Sequence, residues 1–163
     1  MTLDMENCVL GVYEFNRLAG NYENITKEKL LAQAKVVLEE AKELMQAIEN
    51  DEGEEQILKE LCDCHVTITG ISQMLILLKY GVFQAWKKVN ANNLQKFCNT
   101  ELEAIYSKEA YEAQGIAVEI IQMDSVFVLK DKNGKVRKPL NYEKVSVKEF
   151  TPEWKSVNKK GLV

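Results

Sequence analysis

Two acidic couples stand out along the chain, Glu40-x-x-Glu43 and Glu60-x-x-Asp63. They flank a short break, Asn50-Asp51-Glu52-Gly53, between two segments with strong helical patterning. Residues three apart on a helix share a face, so each couple projects two carboxylates in one direction. Glu43 lies ten residues before Gly53 and Asp63 ten after it. In an antiparallel helix pair the midpoints of the couples would differ in height by only roughly 5 Å, at a rise of about 1.5 Å per residue. Four carboxylates at one level of a helix pair suit a hard divalent cation, most plausibly Mg2+.

The competing reading is a solvated acidic face. The local pairing pattern separates the candidates. Glu39 has Lys35 four residues before it and Lys42 three after, as an ordinary surface residue would. Glu40 and Glu43 have no basic residue at those spacings, and their neighbours there include Val36, Val37, Leu44 and Ala47. Two uncompensated like charges beside an apolar stripe cost stability unless a cation joins them. Glu60 is also unpaired on its own helix. Asp63 has Lys59 four residues earlier, although Lys59 can equally serve Glu55.

The elements that must position these groups are mostly helical. Residues from about 4 to 19 carry partial helical periodicity, ended by Gly20-Asn21. Thr26 is placed to cap a second helix, along which Leu30, Ala34, Val37, Ala41, Leu44 and Ile48 form an amphipathic stripe. A third helix runs from 54 to 80. Its second half is apolar nearly all round, which predicts burial on several sides. Helical patterning continues from about 82 to 97 and from 101 to 114. Ile116–Ile121 and Ser125–Leu129 then read as strands, and Asn133-Gly134 as a type I′ hairpin turn. The expected fold is mainly α, a bundle of four to five helices over residues 1–114. A small C-terminal β-hairpin appendage and irregular tail follow over 115–163, packed on the bundle or on a neighbouring subunit.

Composition agrees. The chain has 163 residues, 46% hydrophobic and 28% charged, which is enough for one domain with a sizeable core. The longest apolar run, Ile71–Leu78, is too short to cross a bilayer. Asp4 and Glu6 stand where a secretory signal would carry basic charge, so cytoplasmic residence is the default expectation. Four cysteines fit a reducing compartment and read as small core or boundary residues. Cys62 and Cys64 lie about 200° apart around a helix and cannot grip one zinc ion together. Residues 1–126 carry 11 Lys/Arg against 21 Asp/Glu, and residues 127–163 carry 10 against 4. An acidic body gives no expectation of nucleic-acid binding. The basic tail could neutralise the body or lean over a bound polyphosphate.

No P-loop and no glycine-rich dinucleotide turn is present. A di-iron bundle needs E-x-x-H, but Cys62 stands three before His65, which reads as a packed or hydrogen-bonded boundary residue. Further along, Asn90, Asn93 and Lys96 line one face at i, i+3 and i+6 if the segment is helical. Two amides and an ammonium suit a sugar hydroxyl and a phosphate oxygen; the same pattern is equally that of a polar helix exterior.

Taken together, Gln33-Ala-Lys-Val-Val-Leu-Glu39-Glu40-Ala-Lys-Glu43-Leu, Glu60-Leu-Cys-Asp63 and Asn90-Ala-Asn-Asn93-Leu-Gln-Lys96-Phe resemble the all-α NTP pyrophosphohydrolase superfamily. That group includes MazG-like enzymes, dimeric dUTPases and phosphoribosyl-ATP pyrophosphohydrolases. The tail Gly134–Tyr142 and the opening Phe15–Asn21 resemble small, phage-type members. The resemblance implies hydrolysis of a nucleoside triphosphate to a monophosphate and pyrophosphate. It assigns Glu40, Glu43, Glu60 and Asp63 to Mg2+, with Mn2+ able to substitute. Glu39 and Glu40 become the catalytic carboxylates, and Asn90, Asn93, Lys96 and Tyr142 the substrate-binding set. It also implies a homodimer or homotetramer. Alternatives kept open are a phosphoribosyl-ATP-type activity and a catalytically silent helical regulatory module. Asn16 and Gln33 could hydrogen-bond a base, or equally pack helices. The appended strands are longer than a minimal family domain needs.

Overall fold

The computed structural model describes residues 2–152. The end of the expected tail, residues 153–163, lies outside the described residues. Five α-helices come first: α1 (Thr2–Leu18), α2 (Lys27–Glu49), α3 (Glu54–Leu77), α4 (Val82–Leu94) and α5 (Glu101–Glu112). A small antiparallel sheet follows, β1 (Val118–Met123), β2 (Val126–Asp131) and β3 (Val136–Arg137), in that spatial order. The mainly helical architecture with a β-hairpin appendage is the one the patterning predicts.

The chain forms two compact units. One is built from α1, α2 and α3; the other spans Phe83–Glu149 and holds α4, α5 and the sheet. The expected bundle boundary at residue 114 falls inside the second unit, because α5 packs on β1 and β2.

In the first unit, α2 starts where Thr26 Oγ1 accepts the Lys29 amide, satisfying a free helix-end N–H. It stops at Asn50. Asp51 and Gly53 both take positive φ, 54° and 95°, and turn the chain back into α3. A φ of 95° is open to glycine and strained for other residues. α2 and α3 then pack together as the predicted helix pair. Gly70 sets how closely the helices approach. A Cβ there would stand 3.4 Å from both Asn16 Nδ2 and Gln33 Nε2. Gln33 Nε2 donates to the Thr67 carbonyl at 3.2 Å, and Asn16 Nδ2 to the Val12 carbonyl at 2.9 Å. Gln33 therefore ties α2 to α3, while Asn16 bonds back within α1 and packs against Gly70. Gln73 ties α3 to α1 through Nε2 on the Val9 carbonyl at 2.8 Å, and accepts from the Tyr22 hydroxyl.

The second half of α3 differs from expectation. Only one face of it is buried, while Val66, Ile68 and Leu77 stay 43%, 50% and 42% exposed. Within one chain, packing covers only one side of an all-round apolar helix. His65 is also exposed rather than packed, and of the cysteines only Cys64 and Cys98 are buried. Cys62 lies on the outer side of α3 and Cys8 on that of α1.

The second unit closes around Cys98, Ala104, Val118 and Leu129, with Tyr111, Ile116, Ile120 and Phe127 against them. Cys98 exchanges backbone hydrogen bonds of 2.9 Å each way with Phe127 of β2. Asn133-Gly134 does form the β2–β3 turn, but not as type I′. Only Gly134 has positive φ, 75°. The Gly134 amide donates to the Asp131 carbonyl at 2.8 Å, and Asp131 Oδ1 accepts the Asn133 and Lys135 amides at 2.9 and 3.0 Å. The aspartate side chain supplies a turn that a type I′ geometry would have left to the backbone. Its other oxygen takes Arg137 at 2.8 Å.

Burial pushes the Asp131 carboxyl up, but the Lys135 and Asn133 amides and the Arg137 guanidinium outweigh it and hold the group below its ordinary range. A lowered native pKa adds stability above the unfolded value, lost as pH falls through the native one. The Asp131→Asn variant is therefore expected to have a lower urea midpoint than the wild type at pH 7. That gap should close as pH falls below the ordinary aspartate range.

Candidate metal centre

The buried stripe of α3 contains Glu60, Cys64, Thr67, Gly70 and Met74, a helical repeat whose first member is a carboxylate. Glu60 is 3% exposed, in a place that packing alone would give to an apolar side chain. Its Oε1 accepts from Gln56 Nε2 at 2.6 Å and from Lys59 Nζ at 2.9 Å. Its Oε2 is buried and has no hydrogen-bond partner. An orphaned carboxylate oxygen in a buried position carries a desolvation cost that a bound cation removes.

Asp63 follows one turn later on α3, and Glu40 faces both from α2. One carboxylate oxygen from each of Glu40, Glu60 and Asp63 lies within 4.8 Å of the other two. Donors around one small octahedral cation, at bond lengths of about 2.1 Å, stand roughly 3 to 4 Å apart. The trio therefore needs only small side-chain adjustments to enclose one ion. Burial first, and then the charges of Glu43, Asp63 and Glu60, push the Glu40 carboxyl up, with Lys59 opposing them. The cluster repels itself, which is the electrostatic signature of a site that gains from a cation.

Cys64 lies beside the trio. Burial, then the charges of Glu40, Glu60 and Asp63, push its thiol up, and the three converging donors are all carboxylate oxygens. Hard oxygen donors suit Mg2+ or Mn2+ rather than a thiophilic metal. Glu43 is exposed and stands outside the trio, near enough to act on Glu40. Glu39 is exposed, about 100° further round α2 from Glu40.

The expected substrate-binding residues belong to the second unit. Asn90 and Asn93 are exposed on α4. The helix ends at Leu94, but i to i+3 hydrogen bonds carry Gln95, Lys96 and Phe97 onward as tight turns. Lys96 Nζ donates to Asn93 Oδ1 at 2.8 Å, so these two act as one polar group. The Tyr142 hydroxyl is already committed to Asn92 Oδ1 at 2.6 Å, and the Lys138 ammonium sits 4.3 Å above the Tyr142 ring.

Sequence reasoning missed two residues. Asn92 lies between the exposed Asn90 and Asn93. It is buried, and its Nδ2 anchors the Glu143 carbonyl at 2.9 Å. The Lys59–Asp63 pair that the spacing predicts is present at 2.9 Å, and Lys59 also reaches Glu60 at 2.9 Å, which the spacing does not predict. Together the two carboxylates hold its ammonium well above its ordinary pKa. No single helix among the described residues is long and apolar enough to cross a membrane. Comparison with protein-family models, with curated proteins and with solved structures finds no match.

Proposed function

We propose that this chain is a Mg2+-dependent nucleoside triphosphate pyrophosphohydrolase of the all-α type, converting an NTP or dNTP and water to the monophosphate and pyrophosphate. The observation that carries the reading is the convergence of Glu40, Glu60 and Asp63 around a buried carboxylate oxygen with no partner of its own. Those three side chains would hold the cation, with the exposed Glu43 free to turn in as a fourth donor. Mg2+ there would neutralise phosphate charge and make water a better nucleophile.

The remaining roles fall to polar side chains. Glu39, exposed and about 100° round α2 from Glu40, would serve as an outer base for the attacking water. Lys96 binds a phosphate oxygen as a compact positive charge, and Asn93, fixed by Lys96, binds the sugar or a second phosphate oxygen. Asn90 extends that polar face by one turn. Tyr142 would act by holding Asn92 through its hydroxyl and Lys138 against its ring. The apolar side chains left exposed on α2 and α3, among them Leu31, Leu38, Leu61 and Ile68, support a homodimer or homotetramer that covers them.

The test is a panel of NTPs, dNTPs and phosphoribosyl-ATP, with Mg2+ and with EDTA, scored for pyrophosphate and for phosphate. Pyrophosphate release that requires Mg2+ is expected from one or a few nucleotides. Release from phosphoribosyl-ATP alone would replace the substrate class. A folded protein that releases nothing in Mg2+ would point to a regulatory module instead.

A further inference from the structure

Among the described residues, Lys59 is the cation that meets the acidic trio, and it holds two of its three members. Its Nζ stands 2.9 Å from Glu60 Oε1 and 2.9 Å from Asp63 Oδ2. Glu60 is 4% exposed at its side chain, whereas Lys59 is 59% exposed. A flexible, solvent-facing ammonium thus reaches inward to a buried carboxylate. One positive charge shared among three carboxylates leaves a net charge that a divalent cation would complete. Such a cation must engage oxygens of the same two residues that Lys59 holds.

Resting on the metal-site reading above, we propose that Lys59 is the site's internal counter-ion, which competes with a divalent cation for Glu60 and Asp63. Both charge-assisted hydrogen bonds of Lys59 are lost when the cation binds, and like-charge repulsion keeps the ammonium away while the cation stays. The long side chain is already solvent-facing, so its release needs no rearrangement of α3. Set free, the ammonium returns to solvent, where most of its side chain already lies.

The sign of one substitution separates this role from a structural one. A lysine that merely organises the carboxylates would weaken cation binding when removed. A competing counter-ion strengthens it. Mn2+ is titrated into the full chain, and free Mn2+ is followed by electron paramagnetic resonance, for wild type, Lys59→Met and Lys59→Arg. Lys59→Met is expected to tighten binding about two- to fivefold, within the range spanned by the loss of one exposed ion pair. Lys59→Arg keeps the charge and is expected to stay near wild type. Lys59→Gln is read in the same way should the methionine variant fold poorly by circular dichroism. Wild-type binding with unchanged or weaker binding in both neutral variants overturns the counter-ion role and leaves the metal site standing. Absence of Mn2+ binding in every folded variant removes the metal site itself, and this proposal with it.

Discussion

Glu60→Gln is expected to lower Mg2+-dependent pyrophosphate release at least about a hundredfold, while far-UV circular dichroism stays that of the wild type. Glutamine is nearly isosteric with glutamate, and its amide oxygen can still accept from Gln56 Nε2, the contact now 2.6 Å long. What goes is the negative charge, together with the buried Oε2 that no protein group satisfies. In its place an amide nitrogen would point hydrogens at the cation. The expected ranking across the cluster follows burial and convergence. Glu60→Gln should cost most, Asp63→Asn and Glu40→Gln next, and Glu43→Gln least, since Glu43 is exposed and stands outside the trio. Initial rates of pyrophosphate release at saturating nucleotide, across an Mg2+ series, check this. Equal losses at all four positions would mean that the fourth carboxylate closes onto the ion as firmly as the others.

The largest expected effect on stability lies away from the site. Leu129 is 0% exposed at the centre of β2, paired across the sheet with Ile120 and Arg137. It is among the largest fully buried side chains of the chain, and the small core around it also holds Cys98, Ala104 and Val118. Truncation to alanine removes its transfer energy and leaves a cavity whose walls are a sheet and a helix with little freedom to collapse. Leu129→Ala is therefore expected to cost about 3 kcal/mol, against the range of roughly 2 to 5 for such sites. Urea unfolding followed by circular dichroism measures it. A loss under about 1 kcal/mol would show that the second unit contributes little to the cooperative fold.

Much of this was legible from residue spacing. The acidic couples could be placed on one face of each helix because i and i+3 neighbours must share it. Gly53 could be read as the turn because few other residues take the φ of 95° that the chain adopts there. Thr26 was a readable cap. What spacing does not contain is the rotation of one helix against its neighbour. That rotation buries Glu60 and leaves Glu43 in solvent, although the couples look equivalent in sequence. It also decides the fate of Lys59. Adjacent residues on a helix do not face one another, so Glu60 was not an obvious partner for Lys59, yet a four-carbon stem reaches it at 2.9 Å. The pairing of Cys98 with Phe127 joins positions 29 apart, and no local pattern encodes it. Asn133-Gly134 signalled a turn correctly, but the Asp131 side chain changed its type by supplying an acceptor for two amides.

Our reading rests on Glu40, Glu60 and Asp63 enclosing a divalent cation. The most direct measurement is the anomalous scattering of Mn2+ in a crystal of the full chain soaked in MnCl2. A peak bonded at about 2.2 Å to one oxygen of each of the three carboxylates is expected, with Lys59 turned away from Glu60 and Asp63. Mn2+ found only elsewhere, with Lys59 still bridging the two carboxylates at saturating metal, would contradict it.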